Sequence, residues 1–98
     1  MAKGFWIVTT TITSPAFKDY VEAFHPWVES LGGSVLAKDM DSKTVEGKGG
    51  KLAVIIQFPS KEAAIDAYNR SDYQQISKLR WANSIETNIT IMDGSVRH

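Results

Sequence analysis

The hydrophobic pattern of the chain switches between a period of two and a period near 3.6. Residues 4–13, from Gly4 through Phe5, Trp6, Ile7 and Val8 to Thr13, are dense in aromatic and β-branched side chains. Such side chains fit a pleated surface and lose rotamer freedom in a helix, so a strand is expected. Its two faces read Phe5/Ile7/Thr9/Thr11 and Trp6/Val8/Thr10/Ile12, and both begin with large apolar groups. Ser14-Pro15 offers an N-cap followed by a proline at the first helical position, where no amide partner is lost. Phe17, Tyr20, Val21, Phe24, Val28 and Leu31 then recur at helical spacing and form one apolar stripe. Gly32-Gly33 supplies the left-handed residue that ends such a helix. Pro26 lies inside it and is expected to bend it, because the Glu22 carbonyl loses its donor.

The second half repeats the logic. Residues 34–40 read as a strand, followed by a polar break and a short extension at Thr44-Val45-Glu46. Gly47-Lys48-Gly49-Gly50 reads as a flexible turn. Lys51 to Phe58 is the clearest strand, stopped by Pro59, with Leu52, Val54, Ile56 and Phe58 on one face. Ser60 caps the next helix, and Glu62 sits in its first turn, where the macrodipole favours a carboxylate. Ser71-Asp72-Tyr73-Gln74 reads as a capping box that restarts a helix after a break. Residues 85–92 alternate Ile85/Thr87/Ile89/Ile91 against Glu86/Asn88/Thr90/Met92 and form the last strand.

The order is β-α-β-β-α-β, an α+β chain of the ferredoxin-like, split βαβ kind, with helices on one face of a four-stranded antiparallel sheet. Two helical regions cover only one face of such a sheet. The other still carries apolar side chains, and a large exposed apolar patch marks an interface or a ligand site. Two copies packed sheet to sheet form a barrel, so a homodimer through the open sheet face is expected. RNA recognition uses the same fold, but stacking rings and a Lys/Arg-Gly-Phe/Tyr pattern belong on the third strand there. Here that strand is aliphatic.

Composition narrows the function classes. Ninety-eight residues suit a single domain spanning 1–98 with one modest core. Eleven Lys+Arg balance eleven Asp+Glu, which argues against a nucleic-acid partner, since that affinity rests on neutralising phosphates. With no cysteine, thiolate metal sites, iron–sulfur clusters and cysteine nucleophiles are excluded. His25 and His98 are too few for a histidine-rich metal site, and Asp39, Asp41 and Glu46 share no ligand spacing, so no metal is expected. Apolar runs fall short of a membrane span, and Met1-Ala2-Lys3-Gly4 is not followed by a signal-peptide core. The expectation is a cytoplasmic protein with neither membrane partner nor cofactor.

Across nearly the whole chain a series of short motifs occurs in order: Gly4-Phe5-Trp6-Ile7, Leu31-Gly32-Gly33, Val45-Glu46-Gly47, Phe58-Pro59-Ser60 with Ala63-Ala64, Tyr68-Asn69, Ser71-Asp72-Tyr73-Gln74 and Leu79-Arg80. The series resembles the DUF1330 family of small bacterial proteins, a branch of the dimeric α/β barrel superfamily. The resemblance implies a ferredoxin-like protomer and a homodimer, with no established activity. The superfamily also includes monooxygenases that act on aromatic substrates without a cofactor, haem-dependent members and pure binding modules. By that analogy, the reaction classes to consider are proton abstraction from, or oxygenation of, an aromatic or enolisable acid. Trp81, directly after Arg80, departs from the family pattern, which has a smaller residue there.

Arg80 is the most informative single residue. It follows Tyr73 by seven and Ile76 by four, on the packed side of its helix. A guanidinium there needs a partner. It either clamps a substrate carboxylate or enolate, pairs internally with Glu46 or another carboxylate, or reaches to the rim. Glu46, at the position of the family's Glu-Gly, is a candidate general base or an orienter of Arg80; as a structural residue it is a charge on an edge strand. His25 is the only histidine away from the terminus and the usual base near neutral pH, although its phase puts it at the edge of the apolar stripe. Trp6, Tyr20 and Trp27, with Arg80, are the candidate ligand-binding residues, weighed against ordinary core packing. Gly47 to Lys51 lacks the spacing and the following helix of a phosphate loop and reads as a hairpin. Together these residues predict a pocket between sheet and helices for a small acidic or aromatic metabolite. The alternative is a noncatalytic dimeric module.

Overall fold

The computed structural model describes residues 2–96, so His98 lies outside the described residues. In order they form β1 (Gly4–Ile12), α1 (Phe17–Ser30), β2 (Ser34–Asp39), β3 (Leu52–Phe58), α2 (Lys61–Asn69), α3 (Ser71–Asn83) and β4 (Ser84–Asp93). The strands make one antiparallel sheet in the order β2-β3-β1-β4. This is the ferredoxin-like arrangement, with its second helical region divided in two.

Strand register fixes which side chains share a face. Trp6 lies opposite Ile56 and Ile91, and Val8 opposite Val54 and Ile89. This set faces the helices and joins Phe24, Trp27 and Val28 of α1, Ala64 and Ala67 of α2 and Tyr73 of α3 in the core. Trp6 is its centre, fully buried, with the rings of Phe58 and Tyr73 each 5.1 Å away. Its indole N–H donates to the Ala64 carbonyl at 2.8 Å, so the polar edge of the ring is satisfied inside the core. The opposite face pairs Phe5 with Gln57 and Met92, Ile7 with Ile55 and Thr90, and Thr9 with Ala53 and Asn88. Among the described residues no element covers that face, and Ile55 is 37% exposed on it.

Helix ends follow local chemistry, with corrections. Gly32 at φ 77° closes α1: the Gly33 amide donates to the Val28 carbonyl and the Gly32 amide to Glu29, a Schellman pattern. The Ser60 hydroxyl caps α2 by accepting from the Ala63 amide at 3.0 Å. At the start of α1, however, the Ser14 and Pro15 carbonyls accept from Phe17 and Lys18 in tight three-residue turns, so the α-helix begins at Phe17 and Ser14 does not cap it. Beyond that start, α1 runs through Pro26 as a single helix. The expected capping box at Ser71–Gln74 is not made either. Ser71 is itself the first helical residue; the Asp72 carboxylate accepts from the Tyr73 amide, while the Gln74 amide group reaches back to the Tyr68 carbonyl at the end of α2.

Two further expectations fail for reasons of pairing. Thr44-Val45-Glu46 is not a strand extension: the Ser42 amide and hydroxyl both donate to the Lys51 carbonyl, and beyond that closure the glycine-rich segment offers no strand to pair with. In β4 the simple alternation breaks. Thr9 lies opposite Asn88 but Thr11 opposite Ile85, so β4 carries an extra residue there. Glu86 occupies this bulge at φ 56°, and Ile85 leaves the register of Thr87, Ile89 and Ile91. A second irregularity, between Val35 and Ala37, leaves Leu36 unpaired on β2.

Candidate functional site

Arg80 lies on the face of α3 that also carries Tyr73 and Ser77, and all three are buried. The residue is 4% exposed, and its Nε makes no hydrogen bond. No carboxylate among the described residues pairs with it. Glu46 in particular stands exposed in the loop between β2 and β3, away from Arg80, so the internal ion pair considered for these two is not formed. A guanidinium does not deprotonate in a protein, so the charge stays in place and lacks its usual counter-ion. Part of the deficit is met by the Trp81 ring, whose centroid lies 5.0 Å from the Arg80 guanidinium carbon.

Two cavities meet at this side chain. The inner one, about 60 Å3, lies between the sheet and α1 and is bordered by Trp6, Tyr20, Phe24, His25, Lys38 and Arg80 among others. Its lining includes no carboxylate, whereas Arg80, Lys38 and His25 all reach it. Tyr20 donates to, or accepts from, the Tyr73 hydroxyl at 2.9 Å. Burial pushes the Tyr20 phenol well above the ordinary tyrosine range; the adjacent Tyr73 adds to the rise, and the Arg80 guanidinium partly opposes it. Tyr20 is therefore a neutral hydrogen-bonding group here.

The structure brings Arg80, His25, Tyr20 and Trp6 to this cavity. His25, half-buried, meets it from α1, with its ring edge-on to Phe24. Trp27, expected as a wall, does not line it: it packs in the core against Tyr73 at 5.0 Å. The helical phase that places Trp27 beside Phe24 turns it toward α3 instead.

The outer cavity, about 410 Å3, opens where α3 meets β4 and is bordered by Tyr68, Arg80, Trp81, Ser84, Glu86 and Ile89 among others. Glu86 escapes a reading of the sequence, since it looks like one more polar residue in an alternating strand. Only the bulge opposite Thr10 brings it there. Among the described residues no cluster of His, Asp and Glu is arranged to hold a metal ion, and no helix is long and apolar enough to cross a membrane.

The model of the family described as "Domain of unknown function (DUF1330)" matches residues 3–95. The chain belongs to the DUF1330 family. No curated protein matches it by sequence. Among solved structures, this DUF1330 protein is similar to a protein of unknown function from Rhodopseudomonas palustris, with 16% identity, 99% of this chain and 85% of that one covered, and a TM-score of 0.72. SnoaB, a cofactor-independent oxygenase from Streptomyces nogalater, is similar at 9% identity over 100% and 96% of the two chains, with a TM-score of 0.66. A dimeric protein of unknown function with a ferredoxin-like fold from Bacteroides fragilis is similar at 9% identity over 95% and 97%, with a TM-score of 0.55. At these identities the likeness is one of fold.

Proposed function

We propose that this DUF1330 protein is a cytoplasmic homodimer, each protomer a single ferredoxin-like domain, that binds a small acidic metabolite with Arg80 as its anion anchor. The observation that carries the reading is a buried guanidinium with no carboxylate partner among the described residues, bordering a mostly apolar cavity whose lining includes Lys38 and no acid. An isolated buried charge is costly, and a bound carboxylate would supply the missing charge-assisted hydrogen bonds. Tyr20 and Trp6 would border the head group. The homodimer is supported by the uncovered apolar sheet face and by the dimeric neighbour from Bacteroides fragilis.

A catalytic version of this reading has one observation in its favour: His25 and Arg80 border the same cavity. With His25 taking a proton from an enolisable acid and Arg80 holding the developing oxyanion, the chemistry would need no cofactor, as in the oxygenase SnoaB. The space favours binding, because about 60 Å3 admits a head group and not a whole substrate. Glu46, in the exposed loop, takes no part in either version.

Native mass spectrometry of freshly purified protein, with Arg80→Met alongside, tests the proposal. The expected result is a dimer carrying a small acidic adduct that Arg80→Met loses, with the variant's melting temperature unchanged or higher, since a buried charge with no carboxylate partner is removed. A large fall in melting temperature would show that Arg80 serves the fold and would overturn its assignment as anchor.

A further inference from the structure

The inner cavity leaves no room for the body of a ligand whose carboxylate reaches Arg80. The outer cavity does, and Arg80 borders both. Resting on the reading of Arg80 as an anion anchor, we infer that the hollow between α3 and β4 is a binding site for a planar, aromatic carboxylic acid carrying a hydrogen-bond donor. The acid's carboxylate lies at Arg80, its ring on Trp81 and its donor toward Glu86.

Several independent features point there. The volume, about 410 Å3, falls in the range of small-molecule sites. Arg80 is nine-tenths buried, with its Nε unsatisfied. Trp81 is 67% exposed, with this guanidinium over its ring, so the indole still presents a large apolar surface to solvent. A flat ring stacked on it gains area burial and the offset geometry that aromatic pairs prefer. A non-planar acid of equal charge gains less.

Glu86 gives the site a second polar end. Two of the other polar side chains on the rim are already engaged: the Ser84 hydroxyl donates to the Arg80 carbonyl at 2.6 Å, and the Thr87 hydroxyl pairs with Thr10 at 2.7 Å. Among the described residues the Glu86 carboxylate holds one long bond, from the Thr11 hydroxyl at 3.3 Å. It sits in a left-handed backbone conformation that a glutamate adopts at a cost. A carboxylate so placed repels a second acid and accepts from a hydroxyl or ammonium group. The hollow is lined by Thr87, Ile89 and Ile91 from the helix-covered side of the sheet, with Glu86 at its edge beside Thr11.

The test is a titration of the 15N-labelled protein, as purified, with benzoate, 3-hydroxybenzoate and cyclohexanecarboxylate. It follows the backbone amides together with the indole signals of the tryptophans and the Arg80 Nε–H. The expected result is that both aromatic acids shift the Trp81 indole and Arg80 signals, with 3-hydroxybenzoate tighter than benzoate and cyclohexanecarboxylate weakest. Trp81→Ala should weaken the aromatic acids about five-fold, with Trp81→Phe restoring most of that. Glu86→Gln should reduce the preference for the hydroxylated ring. Shifts confined to His25 and Tyr20, with Trp81 silent, would overturn the outer site while supporting an anion in the inner cavity. Binding that persists in Arg80→Met would overturn both readings. No binding of any probe would overturn the outer site, leaving the anchor to be decided by the mass spectrum.

Discussion

At the scale of the residue, burial sets the chemistry of the groups around Arg80. Tyr20 keeps its proton in the fold at a pH where the unfolded chain releases it, because its phenol is pushed upward mainly by desolvation. Above about pH 10 the unfolded state then binds fewer protons than the folded state, so stability falls as pH rises. Tyr20→Phe removes the titrating group together with the Tyr73 hydrogen bond, worth about 1 kcal/mol. Denaturant midpoints measured from about pH 8 to about pH 11 should fall more steeply for the parent than for Tyr20→Phe. Parallel slopes would show that Tyr20 titrates normally. Arg80 itself was marked by its spacing from Tyr73 and Ile76, since a charged residue in phase with the apolar stripe of a helix must be buried. That it has no acid beside it was not legible, because Glu46 becomes a partner or a bystander according to where a distant loop folds.

At the scale of the element, the informative piece is the bulge in β4. One extra residue between the partners of Thr9 and Thr11 moves Glu86 to the mouth of the outer cavity and forces its backbone to φ 56°. Glycine adopts that conformation without the penalty a β-carbon brings. Glu86→Gly should therefore raise unfolding stability by about 1 kcal/mol in chemical denaturation while giving up the carboxylate. A loss of stability would mean that the side chain, through its contact with Thr11, holds the bulge in place. The strand was legible in the sequence but the bulge was not: Ile85 and Ile89 look in phase until pairing with β1 shows the slip. The helix boundary at 70–71 was readable as a break, whereas the side chains that cap it differ from the expected ones. Asp72 is drawn to the Tyr73 amide and to Arg70 at 3.0 Å, leaving Ser71 to begin the helix.

At the scale of the whole molecule, the helices cover one face of the sheet and leave Phe5, Ile7, Ala53, Ile55 and Met92 on the other. Ile7 and Ile55 lie opposite one another on the two central strands. Charges placed there should repel across the proposed two-fold interface and have little effect on the helix-side core. Ile7→Lys combined with Ile55→Lys should thus run as a monomer by light scattering and retain its circular dichroism spectrum. A double variant that stays dimeric would place the interface elsewhere.

Much of this molecule follows from its sequence alone. Period-two and period-3.6 patterns gave the strands, the helices and their order, because each element must present one apolar face to a shared core. The chain order then admitted few topologies, and the motifs from Gly4-Phe5-Trp6-Ile7 to Leu79-Arg80 pointed to the family. Only the tertiary structure decided the site. Whether Arg80 finds a carboxylate, which way Trp27 turns and where Glu86 emerges depend on register and on contacts between residues dozens of positions apart. Local pattern specifies which side chains are buried; what they are buried against is set by the packing of the whole chain.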